Sequence, residues 1–211
     1  MTYFNENIRL YLKLSIILGV LFVVFYGGSN WINGSRDNHF HLYFQWELGI
    51  PFIPWMMLVY LSLQLLFIAP VFHCHRIELI ILAKRLAMAI CLASLIFVLV
   101  PTISGFERPS NPVFLQELFS MLYVLDKPHN LFPSLHITLS TLVVIAVTNG
   151  AGKCIQVFYS VWLLLLFFSV LLIHQHHIAD IFSGLALAYL CVKINLSPIK
   201  HLLQVDGYDH L

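Results

Sequence analysis

Six long apolar runs, each bounded by polar or turn-forming residues, leave this chain little choice of fold. They lie at about Arg9 to Tyr26, Phe52 to Val71, Leu86 to Thr102, Ser134 to Thr148, Gln156 to Ile173 and Ile178 to Val192. A hydrocarbon core about 30 Å thick takes roughly 20 apolar residues as a helix, because a helix satisfies its own backbone polar groups where water cannot. The fourth and sixth runs are short, and their helices are expected to extend into flanking polar residues. Composition agrees: 60% of the residues are hydrophobic and 10% charged, whereas a soluble domain carries about a quarter charged. The sequence predicts an all-α polytopic membrane bundle of six transmembrane helices, one membrane-embedded domain over residues 1–211. Gly27-Gly28-Ser29 is a weak cleavage cue with no A-x-A pattern, so the first run reads as a span and not a signal peptide.

Lys and Arg collect on cytoplasmic loops. With the N-terminus inside, Arg9, Lys13, Arg76, Lys84, Arg85, Lys153, Lys193 and Lys200 fall on the cytoplasmic side, against Arg36, Arg108 and Lys127 outside. The prediction is N-in, C-in. A formal charge of +1 offers no basic stripe for nucleic acid. Cys74, Cys91, Cys154 and Cys191 lie in spans or predicted cytoplasmic loops, where disulfides are uncommon. His73-Cys74-His75 lacks the second ligand pair of a structural zinc site and reads as polar loop, so no metal is expected.

Two loops reach the extracytoplasmic side. The first, Gly28 to Pro51, holds Trp31, His39, Phe40, His41, Tyr43, Phe44 and Trp46, a mixture suited to the headgroup region, where it anchors or covers a site. The second, Ile103 to Phe132, is rich in turn formers: Pro109, Asn111, Pro112, Asp126, Pro128 and Asn130.

Three polar groups fall at these same extracytoplasmic ends: Arg108-Pro109, then Pro133-Ser134-Leu135-His136, then His174-Gln175-His176-His177-Ile178-Ala179-Asp180. Ionisable residues at span ends are costly and mark function by default. His176 and Asp180 share a helix face at i,i+4, so the carboxylate can hold one ring nitrogen and aim the other; His177 reaches Asp180 equally well at i,i+3. Ser134 opens a helix whose positive end suits phosphate. His136 in the first turn can protonate a leaving alkoxide, and Arg108 offers a charged planar fork to phosphate oxygens. Each has a plainer use alone, as cap, interfacial residue or headgroup anchor. Their shared placement is what points to a site.

Arg-Pro, Pro-Ser-x-His and His-x-x-x-Asp, in this order from Arg108 to Asp180, resemble the type 2 phosphatidic-acid phosphatase superfamily. The motif core is 101–185. The resemblance implies a lipid phosphatase or phosphotransferase acting on a lipid phosphate at the extracytoplasmic leaflet, without metal or other cofactor. It implies His176 as nucleophile through a phosphohistidine, Asp180 as its orienting partner, His136 as general acid, and Arg108 and Ser134 as phosphate ligands. Pro-Ser-Leu-His and the doubled His look closest to the inositol phosphorylceramide synthase-like subgroup, in which a lipid alcohol can replace water as acceptor. Two positions depart from the family pattern: the usual Lys and Arg are Pro101 and Val170 here. Lys127, His129, His174 and His177 are candidate substitutes for those cations. A silent lipid-binding scaffold of the same fold is the alternative. A proton path or small transporter, which needs the polar residues spread through the membrane depth, ranks below both.

Overall fold

Every apolar run becomes helix, and the ends of those helices follow from identifiable residues. The computed structural model describes residues 2–108 and 115–194, so Pro109, Asn111, Pro112 and Lys200 lie outside the described residues. Helix α1 (Thr2–Phe22) continues through a π-turn at Val23–Gly27 into α2 (Gly28–Gly34). The second run is broken at Ser62 and at Pro70 into α3 (Met56–Leu61), α4 (Leu63–Ile68) and α5 (Pro70–His73). Pro70 has no N–H to continue the ladder, which places it at a helix start. Then come α6 (Arg76–Leu99), α7 (Gln116–Leu125), α8 (Leu135–Thr148), α9 (Lys153–Leu172) and α10 (Ile178–Lys193). Gly150, at a φ of 73°, makes the turn between α8 and α9 in the left-handed region.

Helix α8 is the centre, packed against α6, α9 and α10 as well as α4 and α5. Buried residues lie on several of its faces, including Ile137, Thr138, Leu142, Val143 and Val147. The outermost helices turn the opposite way. Leu12, Ile16, Ile17 and Val20 on α1, and Val157, Val161, Leu164 and Phe168 on α9, are exposed. Apolar contacts cannot drive helices together in lipid, so close packing must, and small residues permit it. Ala89 and Ala93 of α6 and Ala188 of α10 are fully buried.

Four helical segments are long and apolar enough to cross a membrane: Glu6–Gly34, Met56–His73, Arg76–Leu99 and Lys153–Leu172. The expected six therefore shrink to four by this measure. Helices α8 and α10 have 14 and 16 residues, about 21 and 24 Å at a rise near 1.5 Å per residue. At their N-terminal ends flanking polar residues do not lengthen them, because Ser134 and His177 are N-caps that follow loop residues.

The loops differ from expectation too. Residues 28–34 of the first are helical, and the second contains α7. The two are tied together by backbone pairing of Phe40 with Thr102 and by buried asparagines. Asn33 Nδ2 donates to Phe97 O and to Asn130 Oδ1, both at 2.8 Å, and Asn130 Nδ2 donates to Ser29 Oγ at 2.9 Å.

Candidate functional site

Helices α8 and α10 meet at their N-terminal turns, and Gly184 permits the approach: a Cβ there would lie 2.7 Å from the Ser134 carbonyl oxygen. Thr138 Oγ1 donates within the same contact, 2.8 Å from Ser134 O and 3.0 Å from Gly184 O. The Ser134 N–H donates to Asp180 O at 3.0 Å. These bonds fix one helix start against the other, bringing together residues 40 positions apart in sequence: His136 Nδ1 lies 3.1 Å from His176 Nε2.

The direction of that hydrogen bond can be deduced. His176 Nδ1 is 3.5 Å from Asp180 Oδ2, an ion-pair distance longer than a well-formed hydrogen bond. Asp180 is the nearest acceptor to His176 Nδ1, which assigns a ring proton to Nδ1 and leaves Nε2 as the acceptor. His136 must then donate from Nδ1, leaving its Nε2 to accept from the Tyr60 hydroxyl at 2.6 Å. The result is two directed hydrogen bonds, Tyr60 to His136 and His136 to His176, with Asp180 beside His176 at ion-pair distance.

His177 is bound quite differently. Its Nε2 accepts from the Gly105 N–H at 3.1 Å, so Nδ1 carries the proton and donates to Glu47 Oε2 at 3.2 Å. Phe106 stacks on one side at 4.3 Å and Tyr43 at 4.5 Å. Burial lowers the His177 pKa, against the opposing pull of Asp180 and Glu47. Asp180 Oδ2 accepts the His177 backbone N–H at 2.8 Å, capping α10. The carboxylate thus faces the ring of His176 and the backbone of His177. With both nitrogens engaged, His177 has no lone pair to offer, whereas His176 Nε2 points at His136.

A small cleft of about 20 Å³ opens beside the two histidines, room for little more than a water molecule. Arg108, Lys127, His129 and His174 line it with His136 and His176. Arg108 Nη1 donates to Tyr123 O at 3.2 Å and Nη2 to Asp126 O at 2.7 Å, with the guanidinium 4.2 Å above the Tyr123 ring. Burial lowers the Arg108 pKa from its very high ordinary value. Burial also lowers the pKa of His129, with help from His39 and Lys127, and of His174. Arg108 and Lys127 are the Arg and Lys side chains that line the cleft. The two departures from the family pattern are structural here: Val170 is 1% exposed in apolar packing, its carbonyl accepting the Gln175 and His176 N–H groups, and Pro101 O accepts from Phe40 N–H. Ser134 serves as the α8 N-cap, its fully buried hydroxyl accepting from Ile137 N–H at 3.4 Å, and it does not line the cleft.

Three supporting groups escaped the sequence. Glu47 is 0% exposed; its Oε1 accepts from Phe44 N–H at 2.9 Å, and its Oε2 from Ile178 N–H at 2.9 Å as well as from His177. One carboxylate in a loop of aromatic residues was the only available signal. Tyr60 has none, being one aromatic residue within an apolar run. Asp126, read as a turn former, accepts a short hydrogen bond from the Tyr26 hydroxyl, and burial raises its pKa. Away from the cleft, His73 Nε2 meets the Tyr159 hydroxyl at 3.0 Å.

Behind His136 lies a second, apolar cavity of about 570 Å³, walled by α1, α4, α6 and α8 through residues such as Leu18, Phe67, Leu86 and Leu139. Tyr26, Asp126, Leu135 and His136 border both spaces. A family model described as the PAP2 superfamily matches residues 82–197. Comparison with curated proteins and with solved structures gives no match.

Proposed function

The chain belongs to the PAP2 superfamily, and from that membership and the geometry of the cleft we propose an integral membrane lipid phosphatase or phosphotransferase that works through a phosphohistidine on His176. The observation that carries the proposal is the pair of facing nitrogens, His136 Nδ1 and His176 Nε2, at the cleft that holds Arg108 and Lys127. A phosphate that widens the cleft and displaces the His136–His176 hydrogen bond meets the freed His176 lone pair on one side and the His136 N–H on the other.

His176 Nε2 attacks phosphorus, forming a P–N bond as the P–O bond to the lipid breaks. His136, once it has taken a second proton from solvent at Nε2 with the phosphate in place, gives the Nδ1 proton to the departing oxygen. Its Nε2 remains partnered throughout, because the Tyr60 hydroxyl can accept from N–H as readily as donate to a lone pair. Asp180 stabilises the positive charge on the phosphorylated His176 ring. In the second step His136 Nδ1 takes the proton of an incoming hydroxyl, whose oxygen attacks phosphorus and releases His176. Arg108 and Lys127 balance the phosphate charge, and Ser134 acts by holding the start of α8 in place. Water as acceptor gives a phosphatase; a lipid alcohol gives the transferase reaction of the inositol phosphorylceramide synthase-like subgroup.

The apolar cavity supports a lipid substrate, since about 570 Å³ of greasy space abutting a phosphate cleft suits a hydrocarbon chain. Helices α8 and α10, though short, complete six spans. The Lys and Arg distribution supports N-in, C-in and an extracytoplasmic cleft. The replacement of two cations by Pro101 and Val170 favours a second reading, a lipid-binding member that does not turn over.

The test is inorganic phosphate release from a panel of phosphorylated lipids by detergent-purified protein in EDTA, beside His176→Ala, with an alkaline quench to trap phosphohistidine and its lability in acid to identify it. Release that survives EDTA and vanishes in the variant is expected. Full activity in His176→Ala with no phosphohistidine trapped would overturn the mechanism; lipid binding without release from any lipid would favour the silent scaffold.

A further inference from the structure

The two cavities share four lining residues, Tyr26, Asp126, Leu135 and His136, and the polar chemistry of that shared wall is one-sided. Of its four residues, Leu135 is apolar and His136 has both ring nitrogens in use. Tyr26 spends its proton on Asp126 Oδ1. What remains toward a ligand is acceptor capacity: Asp126 Oδ2, which takes no hydrogen bond from the described residues, and the lone pairs of the Tyr26 oxygen. Asp126 is held firmly for this purpose. It ends α7, its own carbonyl is bound by Arg108 Nη2 at 2.7 Å, and its side chain is bound by Tyr26.

A lipid phosphate with its headgroup in the cleft, widened from its water-sized volume to admit it, and its chain in the apolar cavity sets the few linking atoms against this shared wall. We propose that Asp126, positioned by Tyr26, determines specificity by selecting lipid phosphates that carry a hydroxyl or amide N–H within those linking atoms. The inference rests on the proposed function for its substrate class and adds the choice among lipids. A phosphorylated polyprenol or simple alkyl phosphate has no donor at that place and leaves the carboxylate oxygen desolvated beside hydrocarbon. A lipid with a free glycerol hydroxyl, or with the hydroxyl and amide of a sphingoid backbone, fills it. Sites built to bond a polar group reject the analogue that lacks it more strongly than apolar pockets reject an extra methylene. The same carboxylate repels phosphate, which keeps the headgroup in the cleft.

The experiment measures binding, so that it does not depend on turnover. The His176→Ala protein in nanodiscs is titrated with oleoyl lysophosphatidate and with the matched analogue lacking the glycerol hydroxyl, each competing against a fluorescent lysophosphatidate. Roughly tenfold weaker binding of the analogue is expected, the scale of one charge-assisted hydrogen bond. Adding Asp126→Leu should bring the two ligands to within about twofold, and Tyr26→Phe, which removes the hydroxyl that holds the carboxylate, should narrow the gap part of the way. Equal affinities in the Asp126-containing protein overturn the inference, as does a preference that survives Asp126→Leu. A preference that collapses as expected, while the protein with His176 intact forms no phosphohistidine, sustains the role of Asp126 and defeats the catalytic proposal. Equal affinities in a protein that does release phosphate do the reverse.

Discussion

His176 aims Nε2 at His136 across the cleft, whereas His177, one residue further on, has both ring nitrogens bonded and both faces stacked by the two loops. The residue type is the same and burial is nearly so, at 4% and 1% exposure. The difference lies in what occupies each lone pair: a side chain at the edge of the cleft for His176, a backbone N–H for His177. Chemistry needs an imidazole whose attacking nitrogen is partnered only by a side chain that can move aside, here His136; architecture needs one held at both nitrogens by fixed partners. The strongest test of this contrast is to remove each ring. His176→Gln should lower turnover by about a thousandfold or more and abolish trapped phosphohistidine, with little change in melting temperature. His177→Gln should lower the melting temperature while phosphohistidine still forms in the folded fraction. Phosphate release, acid-labile label and thermal unfolding in detergent separate the two, and a variant pair with the effects exchanged would reverse the assignment.

Glu47 makes His177 architectural, so the next largest effect is expected there. Glu47→Ala leaves the His177 Nδ1–H and the Phe44 and Ile178 N–H groups without their acceptor. Each orphaned buried donor costs about 1–3 kcal/mol. Unfolding midpoints should fall steeply, and Glu47→Gln should recover part of the loss because its amide oxygen still accepts. Unchanged midpoints in both variants would show that the first loop does not secure the α10 cap.

Much of this contrast was invisible in the sequence for a physical reason. Hydrophobic runs declare helices because their pattern is local, and Arg108, His136, His176 and Asp180 stood out because charge is costly at a span end. The role of His177 depends on Glu47, 130 positions away, and on the Gly105 N–H, 72 positions away. Neither i,i+3 nor i,i+4 spacing could choose between the neighbouring histidines. The choice was made by loops that the sequence described only as aromatic and turn-rich. Helix α7 and the break at Ser62 were missed likewise, one inside a loop rich in turn formers and the other inside an unbroken apolar run.

A gentler perturbation acts on the helix contact that brings His136 to His176. Gly184→Ala places a methyl 2.7 Å from Ser134 O and 3.2 Å from Ile137 Cβ, closer than backbone can tolerate, so α10 must shift from α8. Turnover is expected to fall about ten- to a hundredfold as the facing nitrogens part, with the substrate KM less affected than kcat. Unaltered kcat would mean that this contact does not set the spacing of the two rings.

The smallest effect sharpens the contrast from the side of charge. His129 and His174 have pKa values pushed below the ordinary 6.5, chiefly by burial, so both are largely neutral near pH 7 and gain charge as pH falls. An anion in the cleft should therefore bind more tightly in acid, by a few-fold between about pH 7.5 and 5.5. Sulfate is the appropriate probe, since it keeps its charge over this range whereas a phosphate monoester does not. Stability without an anion must move the opposite way. A histidine with a depressed folded pKa contributes stability that is present above its unfolded value and is lost as pH falls through the folded one. Sulfate should consequently raise the melting temperature more in acid than near neutrality, and His129→Gln or His174→Gln should flatten that dependence. A pH-independent sulfate effect would assign anion binding to Arg108 and Lys127 alone, leaving all the charge of the cleft on two residues and the histidines, like His177, as supports.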